Sequence, residues 1–292
     1  MAPTRRWRLH LGAHKTATTH IQQVCAALDL ERWGAGYMGN DEATPLRIPD
    51  MRRRALPRLL SPALRRREML RSLGAMGRLR DHMILSNEDW IGHGEAALGP
   101  VLYPEAAGRI RSLVRGLARD GEVEVFLSVR SPDGFLPSVY AQVLRYRPYP
   151  TDFAPIRERA LARPPDWADL VDRVAEAAGD VPLRVWPYEA YRAHALAVLR
   201  ALTGLPLEAL PQIEDPAATR TPSAEAVRRV EALSGLREYR RRIPAVESIY
   251  DGTRGEKFMP FAPEEREALR AAYAAQLDAI RARHPAAWLD LG

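Results

Sequence analysis

Trp7 to Gly12 alternates apolar with polar residues and stops at a glycine, and Thr18 to Leu28 then carries apolar residues at helical spacing. Only Ala13 to Ala17 lies between them, so the chain opens as strand, tight loop and helix, the first half of a βαβ unit. Three more short apolar runs, His82–Ser86, Val123–Arg130 and Leu183–Trp186, are bounded by polar or turn residues and separated by helical patterns. That alternation predicts an α/β fold: a three-layer, P-loop-like domain with a mainly parallel central sheet of four or five strands flanked by helices. Ligands are expected at the carboxyl ends of its strands. A chain of 292 residues is read as one such domain, with an acceptor-side insertion or lid at 34–80.

Helix starts are written into two segments. Ser131, Pro132 and Asp133 supply a capping hydroxyl, a proline for the first helical position and an acid for the dipole, predicting a helix to about Leu144. Pro263, Glu264 and Glu265 open a last helix whose Leu269, Tyr273, Leu277 and Ile280 form one apolar stripe. Cys25 shares a stripe with Ile21 and Leu28 and reads as a buried structural thiol; a single cysteine excludes an internal disulfide framework. No apolar run approaches the ~18 residues that span a bilayer, and the basic stretch Met1 to Arg8 leads into a strand instead of a signal core. A cytoplasmic protein is expected.

The net charge of +6 favours anionic partners. How that charge is spelled says more: of 43 basic residues, only Lys15 and Lys257 are lysine. A chain this biased toward arginine keeps lysine where a compact ammonium does something a planar guanidinium cannot.

In LHLGAHKTATTHIQQ, Lys15 and the hydroxyls of Thr16, Thr18 and Thr19 sit on the loop that enters a helix. The unpaired N–H groups of a first helical turn, the positive end of the helix dipole and one ammonium together make an anion site. A Walker loop requires GxxxxGK[ST]; here Gly12 precedes Lys15 by three residues and His14 stands directly before the lysine. The loop is too short to wrap a β/γ-phosphate pair, and a 5′-phosphosulfate needs less wrapping.

At this point the chain resembles the sulfotransferases that use 3′-phosphoadenosine 5′-phosphosulfate (PAPS), bacterial-type, with similarity to the heparan-type and cytosolic ones in the donor motifs. In these a strand is followed by a KTGTT-like loop and a helix. The sequence here is KTATT, with Ala17 in place of the family's glycine. SVRSPDGFLPSVYAQ is similar to the family's 3′-phosphate motif and implies that Arg130 and Ser138 hold that phosphate. GTRGEKFMPF resembles the loop that closes over the nucleotide, carrying Arg254, Gly255 and Lys257, and VWPYEAY resembles a segment that places Tyr188 near it. The resemblance implies a donor site of Lys15, Thr16, Ala17, Thr18, Thr19, Arg130, Ser138, Tyr188, Arg254, Gly255 and Lys257. It implies PAPS as co-substrate with no metal, and 3′-phosphoadenosine 5′-phosphate (PAP) as product.

Transfer to a hydroxyl or amine needs a base. Glu88, just past the strand in HMILSNEDW, is the first candidate, and His14 beside Lys15 is the competing one. The expected partners are PAPS or PAP and an unidentified acceptor of anionic character, with no nucleic acid. Two arginine triplets, Arg52–Arg54 and Arg65–Arg67, read as a solvated helix surface or as a docking face through which 51–73 meets an anionic glycan or membrane surface. The alternatives to a sulfotransferase are a P-loop-type kinase or NTPase, which the short loop disfavours, and a nucleotide- or polyanion-binding module without catalysis.

Overall fold

Four short runs rich in apolar residues, and the alternating run Arg5–His10, become strands of a parallel sheet covered on both faces. The computed structural model describes residues 5–39, 79–149, 152–213, 221–233 and 235–291. Within them β1 is Arg5–His10, β2 Ala35–Met38, β3 His82–Ser86, β4 Gly121–Val129 and β5 Leu183–Pro187. The order across the sheet is β2-β3-β1-β4-β5 and every neighbouring pair is parallel. Leu9 lies beside Leu85 of β3 and Val125 of β4, so β1 is central. The chain leaves β1 to build one side of the sheet and returns to build the other. This topological switch opens a crevice at the carboxyl end of β1.

The strand period of two sorts side chains cleanly. Trp7, Leu9, Met83, Leu85, Val125, Leu127 and Val185 point to one face, and Ile84, Phe126 and Trp186 to the other. The second face is covered by α1 (Thr18–Ala27) and α6 (Tyr188–Thr203) through Ile21, Val24, Cys25, Val198, Leu199 and Leu202. The first face carries α2 (Ala106–Leu117), α3 (Pro132–Tyr146), α4 (Ala154–Ala162) and α5 (Trp167–Ala178). Beyond them α7 (Ala224–Glu231), α8 (Tyr239–Gly252) and α9 (Pro263–Arg283) pack onto the same cluster. The arrangement is the three-layer α/β fold that the alternation implied.

Local expectations hold in part. Burial pushes the Cys25 thiol up to about 12, which makes it an inert core residue. On α9, Leu269, Tyr273 and Ile280 are buried and Leu277 packs partly against them. Ser131 does stand at the N-cap of α3, but its hydroxyl donates to the Asp133 carboxylate at 2.6 Å instead of capping the helix. The reading of 34–80 as an insertion or lid needs correction at its start, where Ala35–Met38 is the edge strand β2, paired with β3 from Ala35↔His82 to Met38↔Leu85. The arginine triplets and the proposed docking face 51–73 lie outside the described residues.

Two further features shape the framework. Arg242 on α8 is fully buried, and its guanidinium donates to the carbonyls of Leu144 (2.8 Å), Leu233 (2.9 Å) and Leu236 (3.0 Å). It thereby satisfies the Leu144 carbonyl in the last turn of α3, which no intrahelical N–H reaches, and ties it to two carbonyls in the turn after α7, where Leu233 also accepts from the Leu236 N–H at 3.0 Å. At the far side, residues 287–289 run along β5: the Val185 N–H donates to Ala287 at 2.7 Å and its carbonyl accepts from Leu289 at 2.9 Å.

No helix among the described residues is long and apolar enough to cross a membrane.

Candidate functional site

The loop from Leu11 to Ala17 leaves β1 at the switch point and turns through three positive-φ residues, Gly12 (46°), Lys15 (62°) and Ala17 (65°). Two threonines hold it. Thr16 Oγ1 donates to the Ala13 carbonyl at 2.6 Å, and Thr18 Oγ1 reaches the same oxygen at 3.4 Å. Both are buried, whereas Thr19 is exposed. The hydroxyl hydrogens of Thr16 and Thr18 therefore fasten the loop to itself, and what the loop offers an anion is backbone N–H groups at the start of α1. Ile21 is the first N–H bonded back to the N-cap, to Ala17 at 3.0 Å, so Thr18, Thr19 and His20 have no intrahelical acceptor.

Positive φ gives two glycine-sensitive positions opposite signs under mutation. At Gly12 an added Cβ would lie 2.6 Å from Thr18 Oγ1, in a left-handed conformation. Gly12→Ala is expected to cost about 2 kcal/mol or more, combining conformational strain of ~1–2 kcal/mol with a steric clash. Ala17 already bears that strain. Ala17→Gly is expected to stabilise by less than about 1 kcal/mol, because strain relief exceeds only slightly the extra freedom of glycine in the unfolded chain. Thermal melts of the two variants check both signs.

Lys15 is half-buried, and desolvation lowers its ammonium to about 8; Glu88 opposes that shift, while Arg145 and Arg130 add to it. Arg130, one residue past β4, donates from Nη1 to the Lys15 carbonyl and stacks its guanidinium on the Tyr188 ring 4.4 Å away. Gly134, one turn into α3, is what lets it lie there, since a Cβ would stand 3.2 Å from Arg130 Nη2. Behind Tyr188, Glu189 accepts from the Ser131 N–H at 2.9 Å and from the Tyr273 hydroxyl at 3.0 Å, tying the start of α6 to α3 and α9.

Ser138 is buried on α3 with its hydroxyl 3.4 Å from that of Thr221. Lys15, Ser138, Arg145, Thr221 and Tyr250 line one small cavity. The 253–257 segment is held beside it: Ser223 donates to the Thr253 carbonyl at 3.0 Å, Ser223 pairs with Lys257, and Phe258 donates to Pro222 at 2.9 Å. Arg254, Gly255 and Lys257 themselves are exposed, so this motif stands at the rim while Lys15, Arg130 and Ser138 lie within.

At the end of β3 the Asn87 N–H donates to the His10 carbonyl at 3.1 Å, locking this turn to β1. Asn87 Oδ1 accepts from the Asp89 N–H at 2.8 Å and starts the 3-10 turn Glu88–Trp90. Glu88 is thereby set next to Lys15, and it accepts from Gln142 of α3 at 3.4 Å. Asp89 stands between two imidazoles, with Oδ1 3.3 Å from His14 Nε2 and 3.2 Å from His93 Nδ1. Burial alone would raise its carboxyl, but the hydrogen bonds from His14 and His93 outweigh it and hold Asp89 well below the usual carboxylate range. Glu88, Asp89, His14, His93, Glu95 and Arg147 line an open cleft of about 420 Å³. It borders Gln142, which also lines the Lys15 cavity. Among the described residues no group of three or more His, Cys, Asp or Glu is arranged to hold a metal.

Beneath the loop lies a support that sequence reasoning missed. His10 is fully buried, stacked against Trp186 at 5.9 Å between ring centres, and 2.8 Å from Ser86 Oγ through Nδ1. Burial drives its imidazole down to about 3, so it is neutral. Asp89, His93, Gln142, Arg145 and Thr221 were equally missed. Each reaches the site through tertiary packing, with no local pattern to signal it.

No protein-family model matches the chain, and no curated protein matches it. Among solved structures the chain is similar to the crystal structure of a sulfotransferase from Alicyclobacillus acidocaldarius. The alignment covers 97% of this chain and 96% of that one, with 14% sequence identity and a TM-score of 0.48.

Proposed function

We propose that the chain is a PAPS-dependent sulfotransferase, transferring a sulfuryl group to a hydroxyl or amine by direct in-line displacement. The observation that carries this reading is the joint placement of Lys15 and Arg130. The Arg130 guanidinium, at the end of the strand beside β1, donates to the Lys15 backbone carbonyl, and the Lys15 side of that loop lines one cavity with Ser138. That donor set suits a ligand with two separate phosphoryl groups: the start of α1 and Lys15 for the 5′-phosphosulfate, and Arg130 with Ser138 for the 3′-phosphate. Thr16, Ala17, Thr18 and Thr19 supply the loop backbone, Tyr188 backs Arg130, and Arg254, Gly255 and Lys257 close the rim.

In this reading the acceptor enters through the cleft beside Glu88. Its oxygen or nitrogen attacks sulfur, the bond from sulfur to the bridging phosphate oxygen breaks, and Glu88 takes the acceptor's proton. PAP leaves with the extra negative charge facing Lys15. The chain's task is positioning and charge stabilisation, as in phosphoryl transfer. Glu88→Gln should keep PAP affinity and lose turnover.

Calorimetry with PAP and with adenosine 5′-phosphate tests the assignment. PAP is expected to bind at least tenfold more tightly, with the difference collapsing in Arg130→Ala. Equal binding of the two nucleotides would overturn it, as would magnesium-dependent turnover of ATP without any PAP affinity. The affinity should also depend on pH. Below about 8 Lys15 is already charged in the free protein; above it, binding requires proton uptake, and affinity is expected to fall by up to tenfold per pH unit. Affinity that is flat from pH 7 to 10 would remove Lys15 from the binding site.

A further inference from the structure

The backbone of Tyr103 is strained, and the fold fixes it from several sides. With φ at 47° it is, besides Lys15 and Ala17, the one described non-glycine residue in the left-handed region, and it is fully buried. Aromatic residues avoid that conformation unless the surroundings over-determine it. Here they do. Its N–H donates to the Ala96 carbonyl at 3.0 Å. Arg173 on α5 donates to the carbonyls of Tyr103 (3.0 Å) and Leu102 (2.6 Å) and is itself held by Asp169 at 2.8 Å. Gly92 makes room for the ring, since a Cβ there would lie 3.1 Å from Tyr103 Cδ1.

The strained backbone delivers one phenol hydroxyl to the residue beside Lys15. The Tyr103 oxygen accepts from the His14 backbone N–H at 3.2 Å, and His14 Nδ1 lies 2.9 Å from the same oxygen. The rings are stacked at 5.9 Å with a 19° interplanar angle. An N–H already occupies one lone pair of the hydroxyl, and burial pushes the phenol far above its ordinary pKa, so its own hydrogen stays on oxygen and goes to Nδ1. A neutral imidazole that accepts at Nδ1 carries its hydrogen on Nε2, the atom that faces Asp89 at the cleft.

We propose that Tyr103, locked by Arg173, is a positioning residue that fixes His14 as the Nε2–H tautomer. His14 then serves the cleft as a hydrogen-bond donor, and Glu88, not His14, accepts the acceptor's proton. In the free protein this donor is held by Asp89 at 3.3 Å, and that it turns to an oxygen of the group in flight rests on the sulfuryl-transfer reading. The tautomer does not rest on it.

Two-bond proton–nitrogen spectra of the histidine rings in uniformly ¹⁵N-labelled full-length protein at pH 8 decide the tautomer. His14, assigned by its loss in His14→Gln, is expected as neutral Nε2–H. Tyr103→Phe is expected to shift it toward a mixture with Nδ1–H while far-ultraviolet circular dichroism stays unchanged. An Nδ1–H tautomer in the parent protein, or a His14 pattern indifferent to Tyr103→Phe, would overturn the proposal.

Release of PAP from PAPS by transfer to water gives the kinetic arm. His14→Gln keeps an amide N–H near the Nε2 position and is expected to retain at least tenfold more kcat than His14→Leu, with KM for PAPS equal in both. Equal loss in Gln and Leu variants would mean that His14 works as a base, and would sink the donor role. If the parent protein releases no PAP to water, the spectra still judge Tyr103, and the sulfotransferase reading is judged separately by PAP binding.

Discussion

Lys15→Met is expected to melt at a higher temperature than the parent protein in the absence of ligand, while PAP binding and turnover are lost. The two halves of that result have one cause. Lys15 is half-buried, and desolvation, with Arg145 and Arg130 adding to it and Glu88 opposing it, lowers its ammonium from 10.5 to about 8, so the fold is less stable with the charge than without it. Because Lys15 is only partly enclosed, the penalty is discounted to about 1–2 kcal/mol.

The sign follows from a base whose pKa falls on folding. Below pH 8 both states are protonated and the cost is fully present; between 8 and 10.5 the folded protein releases its proton first and the cost fades. The melting advantage of Lys15→Met should therefore be flat up to about pH 8 and shrink toward zero by 10.5. An advantage that grows with pH would refute the account. On the catalytic side, removing a charge aimed at the leaving phosphate should cost about 10²- to 10³-fold in turnover. Saturating PAP, read by differential scanning fluorimetry, should stabilise the parent protein and not the variant.

The second large effect is structural. Arg242→Met is expected to lower stability by about 2–4 kcal/mol, since three carbonyls lose a charged donor, that of the buried Leu144 among them. In so large a chain this corresponds to a melting-point drop of roughly 5 to 10 °C. Burying methionine instead of a guanidinium recovers part of the desolvation energy, which bounds the loss from above. Because Leu144 closes α3, the same helix that carries Ser138 and Gln142, the variant should also weaken PAP binding when it is measured well below its melting point. A melt within 2 °C of the parent would show that Arg242 is dispensable.

How much of this was legible in the sequence depends on how local each signal is. The sheet was readable because β1, β3, β4 and β5 are short runs with β-branched or large apolar residues between turn signals. Strand β2, with only Ala35, Gly36, Tyr37 and Met38, has neither alternation nor β-branching, and its strand state comes from pairing with β3. Lys15 stood out by composition, and Arg130 with Ser138 by their place around a helix start. Their convergence through one carbonyl was not legible, because it depends on β1 and β4 being neighbours. Tyr103 looked like any aromatic in a loop, and its left-handed backbone is imposed by Arg173, seventy residues away. Arg242 sits in a run of arginines on α8, and nothing in YRRRIP marks which of them turns inward.

The cover over β5 bears on how the chain assembles. Arg184 and Ala286, whose side chain and carbonyl bond, are separated by 102 positions, so a growing chain displays the outer edge of β5 long before 287–289 emerge to seal it. An unpaired parallel edge is a template for another strand. Quality control of this protein should therefore turn on its 284–291 segment: a product cut short of it keeps every residue of the proposed donor site, yet presents a sticky rim to its own copies.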